Sequence, residues 1–74
     1  MSDIIYGLHA VQSRLIHQPE NITRLYYDKK RQDKRLHDIL LLAQKHDIHC
    51  QPSQKDELQK LSGGDNHQGV VLEA

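Results

Sequence analysis

The chain has 74 residues, ten basic and ten acidic side chains, 36% hydrophobic residues and a single cysteine. This length allows one small domain, whose core shields only about 60% of the surface that the unfolded chain exposes. One cysteine excludes a disulfide scaffold and fits a reducing cytosol. The longest apolar run, residues 39–43, falls far short of the roughly 20 residues of a membrane-spanning helix, and no signal-peptide apolar region follows Met1.

The pattern alternates helix with strand. Leu8, Val11 and Leu15 recur at helical spacing behind Gly7 and before Pro19, which predicts a first helix over 8–17. Residues 22–28, with Leu25, Tyr26 and Tyr27, have strand composition. Asp33 is placed to cap a second helix whose stripe of Leu36, Ile39, Leu40 and Ala43 is widened by Leu41 and Leu42. A short β-type run over 48–51 is expected to stop at Pro52, and Ser53-Gln54-Lys55-Asp56 resembles a capping box opening a helix that ends near Leu61. The loop-like cluster Ser62-Gly63-Gly64-Asp65-Asn66 then breaks the chain. A final strand over 69–73 is apolar enough to need cover on both faces. Such alternation specifies an α/β domain, a small layered mixed sheet with helices packed on it. A last strand ending one residue before Ala74 points to a domain taken from a longer chain.

The zero net charge is a cancellation. Residues 1–21 carry −1 and residues 38–74 carry −3, whereas 22–37 set Arg24, Lys29, Lys30, Arg31, Lys34 and Arg35 against Asp28 and Asp33, giving +4. A phosphate responds to charge within a Debye length of about 8 Å, so the central segment matters more than the total. Cations in a first helical turn oppose the helix dipole. A bound phosphate reverses that sign, which makes the segment a candidate nucleic-acid contact as well as a solvated loop. Tyr6, Tyr26 and Tyr27 fit half-buried strand positions better than base-stacking platforms.

Other chemistries find little support. His46-Asp47-Ile48-His49-Cys50 is compact, yet neighbours on a strand face opposite ways, so His49 and Cys50 do not share a metal. Cys50 reads as a small buried residue rather than a nucleophile. Gly64 to Gly69 matches half of a phosphate loop, but Val70 and Val71 stand where Lys and Ser or Thr are required. The chain by itself reads as a non-enzyme with no catalytic, cofactor or metal site.

Two stretches near the ends, Ile5-Tyr6-Gly7-Leu8-His9-Ala10-Val11 and His67-Gln68-Gly69-Val70-Val71, resemble the signatures of a known module. It is the N-terminal substrate-binding domain of SpoU/TrmH-type RNA 2′-O-ribose methyltransferases. With the basic turn after Tyr27, the chain is most similar to members that methylate a guanosine ribose in 23S rRNA, and the resemblance covers essentially the whole sequence. It implies a fold like ribosomal protein L30e and the L7Ae group, a cytoplasmic setting and an rRNA partner. It also implies a C-terminal knotted domain, outside this chain, that holds S-adenosylmethionine, dimerises and catalyses; the isolated domain is expected to be a monomer. The signature residues Tyr6, Gly7, His9, His67, Gln68 and Gly69 carry over as fold-supporting or RNA-contacting.

The leading expectation is an accessory domain that holds rRNA through Lys29, Lys30, Arg31, Lys34 and Arg35, with Arg24 in support. The alternative is a protein-interaction or spacer domain that packs on the catalytic domain or a ribosomal protein through an apolar face of the last strand and Leu40–Leu42. A free-standing RNA binder follows only from the fold analogy.

Overall fold

A computed structural model of the chain describes residues 3–31, 33–64 and 67–74. The elements in order are β1 (Ile4–Tyr6), α1 (Leu8–His17), β2 (Arg24–Asp28), α2 (Lys34–Lys45), β3 (His49–Ser53), α3 (Lys55–Ser62) and β4 (Val70–Glu73), with a 3₁₀ turn at Pro19–Asn21. They form one mixed sheet in the order β1-β4-β2-β3. β4 is antiparallel to both of its neighbours, while β2 and β3 are parallel. The layered α/β architecture expected from the alternation is the one observed.

The two faces of the sheet are covered separately. Leu25, Leu72 and Val70 join Leu8, Val11 and Leu15 of α1 and Leu36, Ile39 and Ala43 of α2 in one buried core. On the other face Val71 lies in register between Tyr6 and Tyr26, and α3 packs across β1, β4 and β2 with Leu58 fully buried. β4 is therefore central, with Val70, Val71 and Leu72 all at 0% exposure, which explains why its apolar run lacks alternation. For the same reason it contributes nothing to an apolar docking face. Leu40 and Leu42 are half-buried against the core and only Leu41 of that trio is exposed, so the apolar patch expected of an interaction domain is not formed.

Several local expectations need correction. β1 is an additional strand, too short for periodicity to reveal and defined by its pairing with β4. β3 runs through Pro52 to Ser53, as an edge strand permits because a missing N–H costs no ladder bond there. The N-cap of α3 is Gln54, and the Ser53 hydroxyl donates to the Gln51 carbonyl instead of capping. Asp33 does occupy the N-cap of α2, but its side chain makes no capping bond. α2 closes with three bonds to its last turn, His46 N–H (3.1 Å) and Ile48 N–H (3.0 Å) to the Ala43 carbonyl and Asp47 N–H to the Gln44 carbonyl (3.0 Å). Asp47 takes φ +58° there, the left-handed position that glycine usually fills. Of the expected loop cluster, Asp65 and Asn66 lie outside the described residues.

Candidate nucleic-acid interface

The topology gathers loops at one end of the sheet. β1, β2 and β3 point the same way, each being either antiparallel to β4 or parallel to β2. Their C-terminal ends, Tyr6, Asp28 and Ser53, lead within a few residues into α1, α2 and α3. All three helix N-termini therefore lie at this end, together with the 67–69 turn that enters β4. The rim outside the carboxyl ends of parallel strands is where α/β sheets commonly bind ligands.

The two signature stretches meet on this rim. The Val70 N–H donates to the His67 carbonyl at 3.1 Å across Gln68 (φ +55°) and Gly69 (φ +83°), the dihedral signature of a type I′ turn. The Gly69 N–H donates to His67 Nδ1 at 2.9 Å, so Nδ1 is the acceptor and the neutral ring carries its proton on Nε2. Gln68 Oε1 accepts the Leu8 N–H at 2.8 Å. A residue 60 positions away thus satisfies one of the free donors at the start of α1, a role usually filled by the adjacent N-cap side chain. Gly7 enters the helix at φ +94°, and a Cβ there would stand 3.3 Å from Gln68 Oε1. Its N–H donates to the carbonyls of His67 (3.2 Å) and Val70 (3.3 Å). Tyr6 ends β1, and His9 is exposed in the first turn of α1.

The basic segment abuts the same turn. The Asp28 N–H donates to the Gly69 carbonyl at 2.9 Å, and Lys29 N–H to the Ser53 carbonyl at 3.2 Å. Asp28 Oδ1 accepts the Lys30 N–H at 2.9 Å, and the Asp28 carbonyl accepts Arg31 N–H at 3.1 Å. The Arg31 guanidinium donates to the Gln68 carbonyl and to Asp33, with Nε to Oδ1 at 3.0 Å and the second bond at 3.5 Å. It lies over Gly69, where a Cβ would stand 2.8 Å from Arg31 Cδ.

Lys29, Lys30, Lys34 and Arg35 are exposed at this rim. The first turn of α2 contains no acidic residue to balance them or the helix dipole. A cleft of about 260 Å³ separates Asp28, Lys29 and Lys30 from Gln54, Lys55 and Asp56. Lys55 was not picked out from the sequence, because only the parallel β2–β3 pairing brings the two loops side by side. Arg24 is at the opposite end of the sheet, in register with Glu73 and His49. Four residues at about 3.3 Å each put it roughly 13 Å from Asp28, outside the cluster it was expected to support.

Residues 4–74 match the family model described as RNA 2′-O ribose methyltransferase substrate binding. The chain belongs to this family. Relatives of the substrate-binding family are named 23S rRNA (guanosine-2′-O-)-methyltransferase RlmB. The one from Ralstonia nicotianae is 36% identical over 73 residues, covering 99% of this chain and 29% of the relative. That from Acinetobacter baylyi is 46% identical over 66 residues, or 89% and 27%, and that from Haemophilus influenzae is 41% identical over 71 residues, or 96% and 29%. The chain spans less than a third of the length of these relatives. Among the described residues, no helix is long and apolar enough to cross a membrane, and no group of three or more His, Cys, Asp and Glu side chains is placed to hold a metal ion.

Proposed function

We propose that this domain holds 23S rRNA for methylation of a guanosine 2′-hydroxyl, as one module of a longer cytoplasmic enzyme. The carrying observation is the cluster of exposed cations, Lys29, Lys30, Lys34 and Arg35, around the start of α2, whose first turn holds no acidic residue. Phosphates would neutralise it, whereas protein stability alone disfavours it. Recognition of this kind positions the RNA backbone and leaves chemistry to another site. The names of the relatives and the chain's partial coverage of them support an rRNA substrate and a separate catalytic domain. In this reading that domain binds S-adenosylmethionine and pairs as a homodimer.

The test is anisotropy titration of a labelled 23S rRNA hairpin over a range of salt concentrations, with amide shifts followed in parallel. Each phosphate contact contributes about 0.7 to 0.9 to the log–log salt slope. Replacing Lys29, Lys30, Lys34 and Arg35 together with Gln should reduce the slope by about 3 and weaken binding strongly. An unchanged slope, or shifts clustered at the Arg24 end of the sheet, would overturn the assignment.

A further inference from the structure

Arg31 differs from its basic neighbours. Among the described residues of the 22–37 segment, its guanidinium alone is engaged by protein groups, the Gln68 carbonyl and the Asp33 carboxylate. Through Gln68 the chain of contacts continues to the Leu8 N–H. Arg31 and Gln68 thus join the N-cap of α2, at Asp33, to the first residue of α1.

The turn itself shows that Gln68 is held in place. A type I′ turn favours Asn or Gly at its first central position, and an L-residue at φ near +55° is uncommon. Gln adds length that Asn lacks, and that length carries Oε1 to Leu8. Its carbonyl and side-chain oxygen are both occupied, which fixes the strained backbone. Gly69 then leaves the space that the Arg31 side chain fills.

We propose that Arg31 is a positioning residue rather than a phosphate contact. With Gln68 it clamps the β2–α2 loop to the start of α1, and so sets the spacing at which Lys29, Lys30 and Lys34 meet successive RNA phosphates. This rests on the RNA-holding role proposed above and specifies how the rim is organised. Releasing the clamp leaves the phosphate-binding charges in place but makes binding bear the cost of ordering the loop. Ordering roughly one residue corresponds to about a tenfold loss of affinity.

The two roles separate in the salt dependence. Arg31→Gln should weaken binding of the labelled 23S rRNA hairpin about tenfold with an unchanged log–log salt slope. Arg31→Lys should do the same, because a single ammonium cannot hold both Asp33 and the Gln68 carbonyl. Gln68→Ala, which alters no charge, should reproduce the loss, and combining it with Arg31→Gln should add little. Asp33→Asn, a milder change, should give a smaller loss in the same direction and serves where another variant is poorly folded by amide-shift dispersion. The proposal is overturned if Arg31→Gln lowers the slope by about 0.7 to 0.9 while Arg31→Lys binds like the parent, which is the behaviour of a phosphate contact. Unchanged affinity in the Arg31 and Gln68 variants overturns it equally. A Lys29→Gln/Lys30→Gln variant with full affinity and slope would instead overturn the RNA rim itself.

Discussion

Replacing Gly69 with Ala tests the packing of the rim most directly. At φ +83° an added Cβ meets Arg31 Cδ at 2.8 Å and a terminal guanidinium nitrogen at 3.2 Å. The left-handed backbone costs an L-residue about 1–2 kcal/mol. Displacing Arg31 also removes its bond to the Gln68 carbonyl. Charge-assisted bonds of this type contribute about 1.5–3 kcal/mol when buried, but the Arg31 side chain is 34% exposed and solvent screening reduces this to about 1 kcal/mol. The total is about 2–3 kcal/mol, out of roughly 4–11 kcal/mol for a domain of this size. Urea denaturation followed by far-UV circular dichroism, with a slope of about 1 kcal/mol/M, should show the midpoint falling by about 2 to 3 M. In an Arg31→Ala background only the backbone cost remains, so the same substitution should cost about 1–2 kcal/mol. Equal costs in the two backgrounds, within about 0.4 kcal/mol, would refute the packing of Arg31 on Gly69.

Other outcomes follow from single features. Arg24→Gln should leave rRNA affinity and salt slope unchanged, since Arg24 faces the other end of the sheet; a drop in slope near 0.8 would contradict this. Asp47→Gly should raise the urea midpoint by about 0.5–1 M, because glycine relieves the left-handed strain at φ +58°. Leu58→Ala should cost about 2–4 kcal/mol in the same assay, as Leu58 is the fully buried contact of α3. Burial pushes the Cys50 thiol above its ordinary pKa, so the folded chain should react with a maleimide more slowly at pH 8 than the chain in urea. A raised thiol pKa adds stability that is complete at neutral pH and is lost in alkali as the folded-state thiol ionises. Relative to Cys50→Ala, the parent should therefore lose stability above about pH 9.

Much of the fold was legible because it is written locally. The Leu8, Val11, Leu15 stripe between Gly7 and Pro19 gave α1 its observed bounds. The stripe of Leu36, Ile39 and Ala43 similarly located the buried side of α2. The apolar run of β4 predicted cover on both faces, which its central place supplies. β1 escaped because three residues carry no usable period. Pro52 misled because its cost depends on whether a strand is central or at an edge, which is a property of the sheet rather than of the strand.

The candidate site divides in the same way. Lys29, Lys30, Lys34 and Arg35 form a visible charge cluster within seven consecutive residues, and the composition of that segment is enough to mark them. The pairing of Gly7 with Gln68, of Arg31 with the 67–69 turn and of Lys55 with the β2–α2 loop links positions 25 to 61 residues apart. The exclusion of Arg24 depends on strand direction, which hydrophobic pattern does not encode. By itself the sequence determined the elements other than β1, though not the end of β3, and the +4 segment, because these arise from short-range spacing. Tertiary structure alone decided which cations share a rim and which one is tied into the protein, because strand order and direction bring distant residues within hydrogen-bond reach.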